Sequence, residues 1–232
     1  MGVIINNQNT KNLGFALVGR PSIPSADKKY ETIEVEGRDG ALTKFIGYQD
    51  LKFSLKFNIL FQSDIKQKLR EIKGLLSVAK TLAFDDSPNF FYKIKRAQIS
   101  DTETVIKQSG VFSVEFYAEP FEFESSSVLE YENVYSNLLI RNNTSYFSQP
   151  VFKIFGKGNI KLFVNDELVE VKNINEGITI DSELQEAYYQ NNNLNHQMLG
   201  SFPTFEIGEN VIKLEGNNID KIEILPNWRW LT

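Results

Sequence analysis

The sequence lacks the residues and motifs on which most enzyme chemistry depends. It contains no cysteine and a single histidine among 232 residues, which excludes disulfide frameworks, zinc–thiolate centres and cysteine nucleophiles. The histidine, His196, lies in the asparagine-rich segment 191–197 without a neighbouring carboxylate or nucleophile, so we interpret it as a loop residue. No Walker A, GxGxxG, GxSxG or HExxH motif occurs. These absences predict a protein that is not an enzyme and needs no cofactor or metal.

Long apolar runs and a strong charge of one sign are also missing. No apolar run approaches the roughly 18 residues that a membrane-spanning helix needs, so we expect no membrane span. The net charge is −5, from 25 basic and 30 acidic residues. Neither half is strongly basic, and the charge balance therefore argues against a sequence-specific nucleic-acid partner.

The residues that are abundant point to a β-rich protein. Phenylalanine occurs 18 times, and aromatic side chains favour half-buried strands. Segment 30–61 has two apolar-patterned parts joined at a corner, Gly37–Gly40, whose glycines tolerate the positive φ of a tight turn. In the second part every other residue is apolar over eleven residues, which predicts a long strand with one buried face. Those residues are Leu51, Phe53, Leu55, Phe57, Ile59 and Phe61.

The remainder of the first half predicts further strands and one helix. Residues 1–18 are predicted to form a first strand. From Ser63, a suitable N-cap, apolar residues recur at helical spacing and predict an amphipathic helix of about three turns. The strand around residues 111–124 changes its alternation at Glu119–Pro120, which predicts a bulge or a change of sheet. Asp85 and Asp86 are interpreted as a solvated turn.

Residues 136–232 have a different pattern of short apolar segments separated by Gly, Asn and Asp. Strand signals at intervals of about 8 to 12 residues are typical of a β-sandwich. A hairpin turn is predicted at residues 165–167. The domain prediction is therefore 1–135 for a first, β domain with one helix, and 136–232 for a C-terminal β-sandwich.

Two groups of side chains leave other functions open. The acidic residues Glu115, Glu119, Glu122 and Glu124 could form the paired carboxylates of a hydrolase, although an exposed acidic strand face is the simpler interpretation. Four aromatic residues could instead stack on sugar rings of a host cell wall: Tyr188, Tyr189, Trp228 and Trp230. In a strand, Trp228 and Trp230 share one face while Arg229 points away, so the tryptophans could equally close the core.

Several stretches, in the same order along the chain, resemble the distal tail protein family of long-tailed bacteriophages. The strand that begins at Tyr30 reaches a Gly-Arg-Asp-Gly corner formed by Gly37, Arg38, Asp39 and Gly40. The strand VFSVEFYAEPFEF ends on the Pro120-Phe121 pair that is typical of the family, and PVFKIFGKGNIKLFVND and the closing PNWRW are similar to its second half. Leu75-Leu76 departs from the tryptophan that many members have there.

This resemblance implies an N-terminal ring-forming domain similar to tail-tube proteins and a C-terminal galectin-like, carbohydrate-binding-module-like sandwich. Six copies would form a ring at the tail tip, in the virion, after assembly in the bacterial host cytoplasm. The implied partners are the tail-tube protein, the tail-associated fibre or lysin hub, and receptor-binding or baseplate proteins. The corner residues Gly37, Arg38, Asp39 and Gly40, with Pro120 and Phe121, are candidates for a structural corner or subunit interface.

Overall fold

The computed structural model describes residues 1–60, 64–101, 106, 110–132, 137–216 and 218–232. The chain divides into two compact units, Met1–Phe123 with Leu231–Thr232, and Glu124–Trp230. The predicted boundary after residue 135 falls on residues outside the described part. Strand Leu129–Glu132 already pairs within the second unit, and for this reason the division lies earlier in the sequence than we predicted.

The first unit is a β-structure with an α-helix, as predicted. Its elements are β1 (Val3–Ile5), β2 (Gln8–Asn9), β3 (Phe15–Leu17), β4 (Lys28–Ile33), β5 (Leu42–Tyr48), β6 (Leu51–Ile59), α1 (Ile65–Ser77), β7 (Thr81–Phe84), β8 (Ser87–Ile99) and β9 (Val111–Glu124). Most of these strands pair in the order β2-β1-β7-β8-β9-β6-β3, whereas β4 and β5 form a separate two-stranded sheet.

Strand β6 confirms the alternation that the sequence predicted. Its odd-numbered residues from Leu51 to Ile59 are at most 5% exposed, and the residues between them face solvent. It pairs with β9, so that Phe53 stacks on Phe116 at 5.7 Å and Phe57 on Phe112 at 5.5 Å between ring centroids. Such aromatic pairs add about 0.5–1.5 kcal/mol each beyond the burial of their area. Phe61 lies outside the described residues.

Helix α1 is also confirmed, with one difference at its start. Leu69, Ile72 and Leu76 form its buried face. Ser63, the predicted N-cap, lies outside the described residues, and Asp64 caps the helix by accepting a 3.0 Å hydrogen bond from the Gln67 amide. A carboxylate at this position also interacts favourably with the helix dipole.

Two strand predictions in the first half were wrong. Residues 1–18 form three short strands, because Asn6 and Asn7 adopt φ values of 47° and 65° and reverse the chain after β1. The described part of this segment, residues 30–60, contains residues of three strands, and the partner of β4 across the corner is β5, not the long strand β6. The turn at Asp85 and Asp86, in contrast, joins β7 to β8 as predicted.

The second unit is built from many short strands around one long strand. Its elements are β10 (Leu129–Glu132), β11 (Leu138–Asn142), β12 (Val151–Val164), β13 (Glu167–Ile174), β14 (Gly177–Asp181), β15 (Glu186–Tyr189), β16 (Asn192–Asn193), the 3-10 turn η1 (Asn195–Gln197), β17 (Met198–Leu199), β18 (Gly208–Glu215) and β19 (Asn218–Leu225). A last strand, β20 (Arg229–Leu231), ends in the residues assigned to the first unit.

Strand β12 belongs to two sets of pairings. Its first half pairs with β14 and β19, and its second half pairs with β13 and β18. The register shifts at Gly156, where a Cβ would collide with the backbone oxygen of Asn218. The apolar side chains of both halves form one core that includes Phe152, Ile154 and Leu162. This arrangement is compatible with the predicted β-sandwich, and a galectin-like identity stays a prediction.

Candidate assembly surface and candidate binding pocket

The β4–β5 hairpin carries partly exposed apolar side chains on both of its faces. Tyr30 lies opposite Phe45, and Ile33 lies opposite Leu42 on the other face. Their exposed fractions are 52%, 44%, 40% and 39%, in that order. A two-stranded hairpin is at best marginally stable in water without further packing, and exposed apolar patches often mark protein interfaces. The hairpin is therefore a candidate surface for binding another protein.

Aromatic contacts tie the base of the hairpin to the main sheet of the first unit. Phe45 contacts Tyr48 at 5.3 Å between ring centroids, and Tyr48 contacts Phe121 at 6.2 Å. Phe121 then meets Phe123 at 6.4 Å. All these contacts are edge-to-face, the geometry that aromatic quadrupoles favour. The hairpin thus has a defined base, while its apolar faces remain open.

The predicted corner forms the tip of this hairpin. Gly37 and Gly40 adopt φ values of 79° and 75°, a region that glycine occupies without steric cost. The Arg38 amide donates a 3.2 Å hydrogen bond to the Val35 carbonyl oxygen. Arg38 and Asp39 are exposed, and no ion pair joins either of them to another described residue. The role of these four residues in a subunit interface stays a prediction.

Pro120 and Phe121 lie at the other end of the hairpin from the corner. The change in alternation predicted at Glu119–Pro120 is present, because Ala118 and Phe121 are both buried while the two residues between them are half-buried. The Pro120 carbonyl accepts a 3.2 Å hydrogen bond from Thr232 Oγ1. Phe121 contacts the hairpin base through Tyr48, so the structure separates it from the tip by the hairpin length, roughly 20 Å.

Part of β6 forms an open sheet edge. β3 pairs with Phe57–Ile59 only, and the Val18 amide donates to the Lys56 carbonyl at 2.9 Å. By the alternation of an antiparallel strand, the backbone groups of Lys52 and Ser54 point to the same side as those of Lys56. Among the described residues no strand pairs with them there. Open edges are templates for pairing with another chain.

The acidic residues of β9 engage partners of different kinds. Glu115 lies 3.5 Å from Lys52 Nζ in an exposed ion pair. Burial raises the pKa of the Glu122 carboxyl, and a hydrogen bond with Tyr92 partly offsets this increase. Burial also raises the pKa of the Tyr92 hydroxyl, with a further contribution from Glu122. Neither pairing has the two-carboxylate geometry of a glycoside hydrolase.

The C-terminal Trp-Arg-Trp segment is packed into the protein. Trp228 packs against the core of the second unit and contacts Phe205 at 5.7 Å. Arg229 is only 7% exposed and donates hydrogen bonds to Phe147 O at 2.7 Å and Gln149 Oε1 at 2.9 Å. Arg229 is therefore buried, with its guanidinium held by these two acceptors. Trp230 is half-buried, and its Nε1 has no hydrogen-bond partner among the described residues.

Of the four aromatic residues proposed for sugar stacking, Tyr189 lines a pocket of the second unit. Tyr189 contributes to a cavity of about 240 Å³ between the turn that joins β13 to β14 and the turn that joins β15 to β16. Its neighbour Tyr188 does not line this cavity. Burial raises the pKa of Tyr188, with contributions from Asp181 and Glu186. His196 lies nearby in η1 and is exposed.

Gln197 and the asparagines of the pocket were not predicted as site residues. The signal that could have found them is the density of Asn and Gln in segments 173–175 and 190–197, which we interpreted as loops. In the part of the chain that the structure describes, no group of three or more His, Asp or Glu side chains is placed to hold a metal ion. No described helix is long and apolar enough to cross a membrane.

Comparison with known proteins agrees with this architecture. Residues 12–118 match the model of the phage tail protein RIFT-related domain. The crystal structure of the Dit protein (gp 19.1) of phage SPP1, described as a paradigm of the hub adsorption apparatus in phages that infect Gram-positive bacteria, superposes with a TM-score of 0.67. It is 10% identical, over 96% of both chains. No curated protein matches the sequence.

Two structures of the phage P2 baseplate in its activated conformation are less similar. The form with calcium has a TM-score of 0.48 and 11% identity over 93% of this chain and 91% of that one. The form with strontium has a TM-score of 0.47 and 11% identity over 95% and 93%. The resemblance noted in the sequence is confirmed by the domain match and by the SPP1 structure: residues 12–118 match the model of the phage tail protein RIFT-related domain, and the chain has the fold of a distal tail protein.

Proposed function

We propose that this protein is a structural component of the tail tip of a long-tailed bacteriophage and forms a ring there, with six copies as its family resemblance suggests. The ring joins the tail tube to the tail-associated fibre or lysin hub and to baseplate or receptor-binding proteins. Its place is the virion, after assembly in the cytoplasm of the bacterial host. The role is structural and involves no catalysis.

The observation that carries this proposal is the hairpin β4–β5, which exposes apolar side chains on both faces within the domain that matches phage tail proteins. A sheet of two strands cannot bury both faces by itself. Contact with a neighbouring copy would cover Ile33 and Leu42, or Tyr30 and Phe45. The hairpin would then be stabilised by assembly.

The open edge of β6 supports the same proposal from a second position. Strand addition to an open edge satisfies backbone groups and is a recurring mode of association. The hairpin and this edge are different surfaces of one subunit. A contact between different surfaces is heterologous, and heterologous contacts generate rings when the rotation between subunits closes.

Mass photometry and negative-stain microscopy of the purified full-length protein test this function. We expect a species of six subunits, 26.6 kDa each, with a central opening. If the isolated protein remains monomeric, the same measurement on a complex with the tail-tube protein decides whether the protein forms a ring. A single copy within purified tails would contradict the proposal.

Attachment to saccharides of the host cell wall is a second candidate role, located in the second unit. The packing of Trp228 against Phe205 argues against sugar stacking on this tryptophan. The polar pocket beside Tyr189 supports sugar binding at that position instead. The two roles are compatible because they use different units of the chain.

A further inference from the structure

We propose that the pocket beside Tyr189 in the second unit binds a neutral saccharide, one sugar residue at a time. This site deepens the attachment role proposed above and is independent of ring assembly. It lies between residues 173–177, which join β13 to β14, and residues 189–197, which contain the turn after β15, strand β16 and η1.

Hydrogen bonds donated by backbone amides hold both walls of the pocket in place. The Gly156 amide donates to the Glu176 carbonyl at 3.0 Å, and the Asn173 amide donates to Asn159 Oδ1 at 3.0 Å. On the other wall, the Leu194 amide donates to the Ala187 carbonyl at 2.7 Å. The turns are thereby fixed by β12 and β15 before any ligand binds, and such preorganisation lowers the entropic cost of binding.

The lining is rich in side chains that both donate and accept hydrogen bonds. Asn173, Asn175 and Asn192 direct no side-chain hydrogen bond to another described residue. Gln197 Oε1 is buried, and no donor in the described chain reaches it. A buried acceptor without a partner costs free energy, so a hydroxyl of a ligand that reached it would recover that cost. Carboxamide groups suit sugar hydroxyls because both act as donor and acceptor.

Tyr189 provides the aromatic side of the site. A Cβ at Gly177 would lie 3.0 Å from Tyr189 Cε2 and 2.7 Å from the Ile154 carbonyl oxygen. The absence of a side chain at Gly177 therefore lets the ring pack directly on the backbone of β14. A tyrosine presents a large apolar ring with only two side-chain torsions to order, and the apolar faces of pyranose rings pack on such surfaces.

Size and charge restrict the ligand class. The cavity of about 240 Å³ is below the roughly 300–1,000 Å³ typical of sites for drug-sized ligands, so it accommodates one sugar unit. Among the described residues that line the cavity, Glu176 is the one that carries a charge, and its negative charge disfavours phosphate and carboxylate groups. A neutral hexose or N-acetylhexosamine, free or at the end of a chain, meets both conditions.

The test uses the full-length protein with glucose, galactose and N-acetylglucosamine as separate probes. Saturation-transfer NMR detects binding, and titration calorimetry measures its Kd. We expect at least one sugar to bind, with a Kd of roughly 1 mM. Tyr189→Ala should weaken that binding at least tenfold, whereas the matched variant Tyr188→Ala, on the same strand but outside the lining, should change it less than twofold.

A smaller change is expected for Asn192→Ala, about 2- to 10-fold, because one hydrogen bond is lost. Thermal unfolding of each variant verifies that it is folded, and mass photometry of the same samples reports assembly. Absence of binding by all three sugars, or equal binding by wild type and Tyr189→Ala, would overturn the saccharide site. If rings form in those samples without sugar binding, the proposed structural role still holds. If the protein binds sugar but never assembles, the proposed saccharide site still holds.

Discussion

Replacing Ile33 and Leu42 with serine is expected to weaken ring assembly while the subunit stays folded. The two side chains lie opposite each other on one face of the β4–β5 hairpin, 40% and 39% exposed. The main sheet of the first unit does not include the hairpin strands. The substitution therefore removes apolar surface that a neighbouring subunit would cover.

The expected magnitude follows from the exposed fractions. Full burial of such a side chain contributes about 1.5–3 kcal/mol. Covering the two-fifths that are still exposed would contribute about 0.6–1.2 kcal/mol for each of the two residues at each subunit contact. Together they contribute about 1–2.5 kcal/mol per contact, which is roughly a 5- to 70-fold change in the association constant.

Mass photometry over a concentration series measures this change as a shift of the assembly midpoint. The control is Leu139→Ser with Leu184→Ser, two leucines of the second unit that are each 63% exposed and therefore lose comparable apolar area. Thermal unfolding followed by circular dichroism checks both variants. If the hairpin variant is folded and assembles at the same concentration as the wild type, the hairpin does not form the subunit contact.

Three further predictions concern stability. Gly156→Ala should lower the stability of the second unit by about 1–3 kcal/mol through overpacking, because its Cβ would collide with the Asn218 carbonyl oxygen, and calorimetry measures this loss. Glu122→Gln should raise the unfolding temperature at pH 7. The pKa of the Glu122 carboxyl is raised in the folded state. The protonated carboxyl therefore stabilises the fold below the unfolded pKa, and this stabilisation is lost as the pH rises through the folded pKa. The gain should vanish near pH 4, and a pH-independent gain would contradict it. Gly37→Val or Gly40→Val should strain the hairpin tip by about 1–3 kcal/mol and reduce assembly without a change in the unfolding of the main sheet; normal rings from both variants would refute a role for the corner.

The elements that the sequence predicted well have one buried and one solvated face. β6 buries its odd-numbered residues from Leu51 to Ile59 on one side of a single sheet, so its alternation of buried and exposed residues is uninterrupted. Helix α1 buries Leu69, Ile72 and Leu76 in the same way. Local periodicity reports such elements directly, because burial acts on every second residue of the strand and on one stripe of the helix.

The hairpin was harder to predict because its residues do not alternate between buried and exposed. Apolar side chains occur on both faces of β4 and β5, and no alternation marks which strand pairs with which. The three strands within residues 1–18 depend on left-handed conformations at Asn6 and Asn7, which asparagine permits but does not require. The apolar pattern therefore predicted one strand for residues 1–18, where the backbone forms three.

The candidate pocket and the burial of Arg229 depend on contacts between distant positions in the sequence. The acceptors of Arg229 are Phe147 and Gln149, about eighty residues earlier. Likewise, Asn173 and Gln197 line one cavity only because β14 and β15 bring two turns together. Local composition indicated loops in these segments, and only the pairing of the strands shows what those loops enclose.

The most direct test of the proposed function is an image of the assembled protein. Cryo-electron microscopy of the full-length chain, alone or in isolated tails, should show a closed ring of six copies in which hairpin β4–β5 of each subunit contacts its neighbour. A particle in which the hairpins remain exposed to solvent, or in which the protein is present as a single copy, would contradict the proposal.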